Sequence, residues 1–350
     1  MQVFDEVFLG MLSEIEETVI SFFRLNVEGT IAVKEVKGKK YAYIQRKKNG
    51  KWFYQYLGPL ENESVKKLVE SLKKQKDLCA KQKERIKFFT ELLKGTGVIP
   101  VSGFLERVIE KLSKNGIIFG KGILIGTLAF LSYQTKLGFS AIEKSGRTGD
   151  IDVVGSKEIC FVIENEVSNI NVLDALEELK KEFIPEAPVG EEIPVRLIHS
   201  SGLRIEFLYP HKAGPPGKIT GKEKTGFAGI GAVELPYLDL LVEDSTTGIL
   251  AGLKSLYPVT VPSPEKFVAH KLIIAGRRKE IDKAIKDITQ AEILLKVIKK
   301  RGILNFVGEE LEKCFKKYRK SPDYFKKTLK ILKEREKIEA EITDFLNRLI

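Results

Sequence analysis

Apolar residues recur at helical spacing over residues 4–24, through Phe4, Phe8, Met11, Leu12, Ile15 and Val19, and predict a first helix. The stretch KKYAYIQRKKNGKWFYQYLGP then alternates with period two on either side of Asn49-Gly50, a strong short signal for a β-hairpin. Tyr41 and Tyr43 share one face of its first strand; Trp52, Tyr54 and Tyr56 share one face of its second. An amphipathic helix follows over 63–94, and the aromatic ladder is expected to pack on it. The competing use of aromatics among basic residues is to stack nucleobases.

TGVIPVSG at 96–103 reads as a junction between domains. Beyond it the pattern predicts a helix near 104–114, a glycine-bounded strand GILIG at 122–126 and a helix over 127–137. Strands GDIDVVG and ICFVI, a helix over about 171–183, and strands PVRLIHS and GLRIEFLYP come next. Such alternation predicts an α/β core. The Gly/Pro-rich segment 213–231 reads as a mobile loop with the character of a lid. Its GKITGK is one residue short of GxxxxGK and lacks the following Ser/Thr, and no GxGxxG occurs there. From Pro262 onward the chain reads as helical, in segments at 263–276, 279–300, 304–318 and 321–349. The expected division is an N-terminal helix, hairpin and long helix over 1–97, an α/β core over 98–261 and a helical domain over 262–350.

Composition narrows the class. At 350 residues, 43% hydrophobic and 31% charged, the chain is of globular type. No apolar run reaches the roughly 18–20 residues of a membrane span, and the acidic N-terminus does not read as a signal peptide. Three scattered cysteines and three scattered histidines argue against disulfides, structural zinc or a His-based metal site, and point to the cytoplasm. The net charge of +11 is concentrated: residues 34–87 hold 17 Lys+Arg against 6 Asp+Glu, so the rest of the chain sums to zero. That block suggests an anionic partner, with RNA or DNA first; the alternative is a solvated lysine-rich helix.

Candidate chemistry centres on Asp150 and Asp152 in GRTGDIDVVG. In a strand they project to one side, a pairing suited to a hard cation such as Mg²⁺. GLRIEFLYP turns Leu203, Ile205, Phe207 and Tyr209 to one face and leaves Glu206 on the other, as a third acid; Asp239 competes for that place. Upstream, GILIG turns through Gly126-Thr127 into a helix, whose N-terminus favours phosphate. Beside two metal-binding aspartates, that is the layout of two-metal phosphoryl or nucleotidyl transfer. Further on, Lys271 and Asp287 both fall on inward stripes of their helices, either as a structural ion pair or with Lys271 on a nucleotide phosphate and Asp287 holding it. Lys286 and Gln290 carry a weaker signal, and His270 reads as a satisfied helix residue.

Gly126-Thr127, a helix, and then Arg147-Thr148-x-Asp150-Ile151-Asp152 resemble the signature of the nucleotidyltransferase superfamily. Among its branches the chain most resembles uncharacterised nucleotidyltransferase-fold proteins related to abortive-infection toxin nucleotidyltransferases. VTVPSPEKFVAHKLIIAGRR followed by KAIKDITQAEILL is similar to the helical segment where that branch places a lysine and then a Lys/Arg-Asp pair. The resemblance covers about 117–298. It implies a mixed-sheet α/β (α+β) nucleotidyltransferase core between the basic N-terminal region and the helical C-terminal one. It also implies transfer of a nucleoside monophosphate from an NTP, with Mg²⁺ or Mn²⁺ on Asp150, Asp152 and Glu206. Gly126, Thr127 and Lys271 would hold phosphates, Asp287 would support Lys271, and Arg147 and Thr148 would position the nucleotide. The toxin relatives suggest a tRNA or other RNA acceptor, reached through residues 34–87, and a cognate antitoxin protein. The third acid is Glu where the superfamily more often has Asp, and the first motif reads Gly-Thr for the commoner Gly-Ser. The competing classes are a non-catalytic nucleic-acid-binding protein with a decayed transferase fold, and a transferase acting on a protein or small molecule.

Overall fold

The computed structural model describes residues 1–25, 29–48, 51–141, 158–162, 172–176, 179, 182–188, 190–211, 219–220, 230–335 and 339–350. A short strand β1 (Gln2–Val3) leads into helix α1 (Glu6–Leu25), which buries Leu12, Ile15 and Val19 as its periodicity predicts. Strands β2 (Thr30–Val36), β3 (Lys39–Lys48) and β4 (Lys51–Pro59) then form an antiparallel sheet in that order. β3 and β4 are the expected hairpin. β2 is additional to it; Val33 and Val36 are exposed, so the strand carries no clean buried alternation.

Helix α2 (Glu63–Lys94) starts at Asn62, whose side-chain oxygen accepts from the Ser64 N–H at 2.9 Å. Its 32 residues make a rod of about 48 Å. The first turns bury Val65 and Val69 against Ala42, Ile31 and Leu57 of the sheet. The last turns bury Ile86, Phe89 and Leu93 with Leu12, Ile15 and Val19 of α1. The aromatic ladder therefore does not pack on α2, contrary to the expectation from sequence. Ala42 stands opposite Gly58, and a Cβ on Gly58 would come 2.6 Å from Val65 Cγ2. This floor of small side chains lets the helix approach, and the large rings are left on the far face.

The core begins with α3 (Gly103–Lys114), β5 (Ile123–Ile125), α4 (Gly126–Leu137) and β6 (Phe139–Ser140), the last pairing with β1. It continues through β7 (Glu158–Val162), α5 (Val172–Leu176), β8 (Phe183–Glu186), β9 (Arg196–His199), β10 (Arg204–Pro210), β11 (Ile219–Thr220) and β12 (Ala232–Leu235). These strands form a mixed sheet in the order β11-β12-β10-β7-β5. β10 runs parallel to β7 and β12, β5 runs antiparallel to β7, and β9 joins β10 to β8. The strand expected at GDIDVVG and most of the 213–231 loop lie outside the described residues. The helix expected over 171–183 ends before Phe183, which already opens β8.

A short helix α6 (Asp239–Val242) precedes an unexpected hairpin, β13 (Thr246–Ala251) with β14 (Leu256–Val261). Pro258 within β14 speaks against a strand in sequence, and it is tolerated because the hairpin sheet has only two strands. Among the described residues that follow are five helices: α7 (Pro264–Arg277), α8 (Ile281–Lys300), α9 (Leu304–Lys317), α10 (Ser321–Arg335) and α11 (Ala340–Asn347). The single segment expected over 321–349 is thus two helices. One continuous apolar core runs from Ile99 to Leu346 and joins the mixed sheet to these helices. α4 lies inside it, buried on nearly every side, and its buried Ser132, Gln134 and Thr135 side chains donate to backbone carbonyls. Gly276 permits the close crossing of α7 and α10, because any Cβ there would strike the Tyr324 carbonyl.

Candidate active site

The register of the mixed sheet assembles the floor of the site. Ile125 pairs with Cys160, Cys160 with Glu206, and Glu206 with Arg196, one row across β5, β7, β10 and β9. All four line a single cleft of about 660 Å³. At about 4.8 Å per strand, Glu206 stands roughly 10 Å across the sheet from Ile125. Ile205 and Phe207 are fully buried on the opposite face, as the alternation predicts.

Directly after Ile125 the chain turns into α4 through Gly126, which has φ +70° and no atom near a would-be Cβ. Left-handed backbone, not space, calls for glycine here. Helix α4 starts without a side-chain cap, and Gly126 and Thr127 border the cleft. Its first-turn N–H groups are thus available to an anion. The Thr127 hydroxyl accepts from Gln290 Nε2 at 3.3 Å, which ties the turn to α8.

The two inward charges of the helical segment meet. Lys271 Nζ donates to Asp287 Oδ1, and Arg278 Nε donates to Asp287 Oδ2 at 3.0 Å. The Asp287 side chain is 5% exposed and that of Lys271 10%, whereas Arg278 is 41% exposed. Burial pushes the Asp287 carboxyl up, and the Lys271 and Arg278 charges with their hydrogen bonds more than offset it, for a net displacement downward. Lys271 Nζ also lies 5.2 Å from the Phe267 ring centre.

Among the described residues, seven cations line the cleft, Arg196, Arg204, Lys271, Arg277, Arg278, Lys283 and Lys286, against the carboxylates of Glu206 and Asp287. His270 lines it as well. Both its ring nitrogens are buried without a hydrogen-bond partner among the described residues, so it is not the satisfied helix residue expected. Burial, reinforced by Lys271, pushes its imidazole down to about 3, and it is neutral at physiological pH. Asp239 is turned to α9, where Tyr318 donates to one oxygen and Lys317 lies 2.6 Å from the other.

Glu206 is not a bare carboxylate. Arg196 Nε lies 2.8 Å from its Oε1 as an ion pair without hydrogen-bond alignment, while its Oε2 lies 4.0 Å from the Cys160 thiol. Among the described residues no group of three or more His, Cys, Asp or Glu side chains is placed to hold a metal ion. The described donors alone do not suit a hard divalent cation, which takes six or more oxygen ligands. Asp150 and Asp152, with Arg147 and Thr148, lie outside the described residues.

Arg196 and Arg204 were not among the candidates drawn from sequence. Reading PVRLIHS and GLRIEFLYP as a hairpin through Ser200, Ser201 and Gly202 would have set Arg196 opposite Glu206, the register observed. Arg278 had no local signal, because its contact with Asp287 crosses between two helices.

The fold and the cleft together describe a mixed α/β enzyme core presenting an uncapped helix N-terminus to a cationic cavity. Residues 104–313, 210 of the 350, match the family described as Nucleotidyltransferase, and the chain belongs to that family. Every described residue lining the cleft falls inside this span. The protein is accordingly an enzyme, a nucleotidyltransferase, which transfers a nucleoside monophosphate. No curated protein and no solved structure matches the chain. Among the described residues, no helix is long and apolar enough to cross a membrane.

Proposed function

We propose that the chain moves a nucleoside monophosphate from an NTP to a hydroxyl of RNA in a divalent-metal-dependent reaction. The observation that carries this reading is the charge of the cleft, where the described lining residues include seven cations and two carboxylates beside an uncapped helix N-terminus, an environment suited to a triphosphate. In this reading the first turn of α4, at Gly126 and Thr127, holds the β- and γ-phosphates. Lys271 offsets triphosphate charge and Asp287 keeps it in place, while Arg147 and Thr148 position the nucleotide. Asp150 and Asp152 hold Mg²⁺ or Mn²⁺, with Glu206 as third carboxylate, which requires sharing or releasing its pair with Arg196. A metal bound there supplies neutralisation of phosphoryl charge. Glu206 helps activate the acceptor hydroxyl by taking its proton as the oxygen attacks the α-phosphorus in line; the new O–P bond forms as the bond to pyrophosphate breaks.

The acceptor is an RNA, with tRNA favoured by the resemblance to abortive-infection toxin nucleotidyltransferases, and residues 34–87 form the basic surface that meets it. A cognate antitoxin protein, a cytoplasmic setting and the division at about 97 and 261 belong to the same proposal. The test is incubation of the protein with each α-labelled NTP, Mg²⁺ and total RNA, beside Asp150→Ala/Asp152→Ala. Label should reach RNA with the wild type, and disappear in the double variant and on chelation. Undiminished transfer by the double variant sinks the metal-site assignment, and label on protein instead of RNA replaces the acceptor.

A further inference from the structure

The exposed face of the N-terminal sheet has no role in the cleft chemistry. Ala42 and Ile31 cover Val65 and Val69 of α2 on one side. Cross-strand register places Tyr43 opposite Tyr56 and Lys47 opposite Trp52 on the other. There Trp52 is 53% and Tyr56 54% exposed. The rings form a continuous row, with centroids 6.2 Å apart for Tyr41–Tyr56, 5.4 Å for Tyr43–Tyr56 and 6.4 Å for Tyr43–Tyr54. Lys34 Nζ sits 3.5 Å from the Tyr54 ring centre.

Large exposed aromatics on a sheet face are costly unless something covers them. The charge around them says what. Residues 30–59 carry 8 Lys+Arg and a single acid, Glu35. Glu35 pairs with Lys40, one residue out of phase with Tyr41 and Tyr43, and so lies on the opposite side of the sheet from the rings. The aromatic side thus carries lysines and no carboxylate, among them Lys34 and Lys47. An apolar protein partner would be served by the rings but not by the lysines; a duplex would meet the lysines and hide its bases from the rings. Flat π-faces interleaved with cations fit unpaired bases on a phosphate backbone.

We infer that this face is a docking platform for a single-stranded stretch of RNA, whose bases stack on Tyr43, Trp52, Tyr54 and Tyr56 while Lys34 and Lys47 meet its phosphates. The inference rests on the RNA-acceptor reading above and names the part of the acceptor engaged. Helix α2, anchored at its far end on α1, holds the platform at the end of a rod. RNA bound there is gripped away from the reacting hydroxyl.

Trp52 is the only tryptophan of the chain, so its emission reports the contact directly. The full-length protein is titrated with a 12-nucleotide oligouridylate, and separately with duplex RNA, single-stranded DNA, polyphosphate and polyglutamate. Single-stranded RNA should quench Trp52, and duplex RNA and polyphosphate should bind without quenching. Tyr54→Ala and Tyr56→Ala should each weaken RNA binding about tenfold, or about 1.4 kcal/mol, and Tyr54→Phe should restore it. Circular dichroism should show all three variants folded, since the side chains project to solvent. Unchanged Trp52 emission, alanine variants that bind like the wild type, or tighter binding of DNA or polyglutamate than of RNA would overturn the platform. Quenching and binding by a protein that labels no RNA keep the platform and remove the acceptor reading. RNA labelling that is indifferent to the alanine variants does the reverse.

Discussion

Substitutions at Lys271 and Asp287 test whether Lys271 serves the fold alone or the nucleotide as well. Asp287→Asn leaves the Lys271 ammonium, with a side chain only 10% exposed, without a counter-charge. Breaking a buried pair in this way costs about 3–5 kcal/mol, a Tm loss on the order of 10 °C for a cooperative unit of this size. Lys271→Met should cost less, about 1–2 kcal/mol, because Arg278 still holds the other carboxylate oxygen at 3.0 Å. Lys271→Met/Asp287→Leu removes both buried charges and frees Arg278 to water, so its stability should return to within about 1 kcal/mol of wild type. NTP affinity should follow a different order. If Lys271 contacts the triphosphate, both variants lacking it lose a charge-assisted contact of about 1.5–3 kcal/mol, roughly 10- to 150-fold in Kd. Differential scanning fluorimetry reads the first ranking and titration calorimetry with each NTP reads the second. A stable double variant with wild-type NTP affinity would refute the phosphate role and leave Lys271–Asp287 a purely structural pair. The same cluster sets an acid limit. The folded-state value of Asp287 is displaced downward, so its contribution is present above the ordinary aspartate value of about 4 and is lost as pH falls through the lowered one.

Two further outcomes follow from single residues. His270 is held neutral to about pH 3, so the unfolded chain binds its proton first; stability should fall by about 1.4 kcal/mol per pH unit between about 6.5 and about 3, and His270→Phe should flatten that slope in pH-dependent urea melts. A slope unchanged by the substitution would mean that His270 is not buried as a neutral ring. Gly126→Ala meets no steric obstacle but forces alanine to φ +70°; the expected cost is about 1–2 kcal/mol in Tm measurements, with a larger, at least tenfold, loss of transfer rate as the turn shifts. Equal transfer by this variant would separate the turn from the phosphates.

The cleft was partly legible in sequence because several of its residues sit on regular elements whose period is local. Glu206 alternates against Ile205 and Phe207, Lys271 and Asp287 fall on inward stripes, and Gly126 stands at a strand-to-helix turn; each is placed accordingly. Arg278 was not legible, since its partner Asp287 is brought close only by folding, whereas Arg196 was legible through the hairpin register that sets it opposite Glu206. The hairpin β13–β14 is not legible in sequence because its Pro258 contradicts the local rule for strands, and only its two-stranded setting makes the proline harmless.

By itself the sequence determined the helices with sustained period, the inward charges, the basic N-terminal block and the motif order that marks a nucleotidyltransferase. Tertiary structure decided which residues stand beside one another: the row from Ile125 to Arg196, the carboxylate of Asp287 between two cations, and the side of the N-terminal sheet that faces water. That last choice ran against the expectation from pattern, because Ala42 opposite Gly58 makes a surface flat enough for a helix. Periodicity tells which residues share a face, but only the fit between two surfaces decides which face is buried.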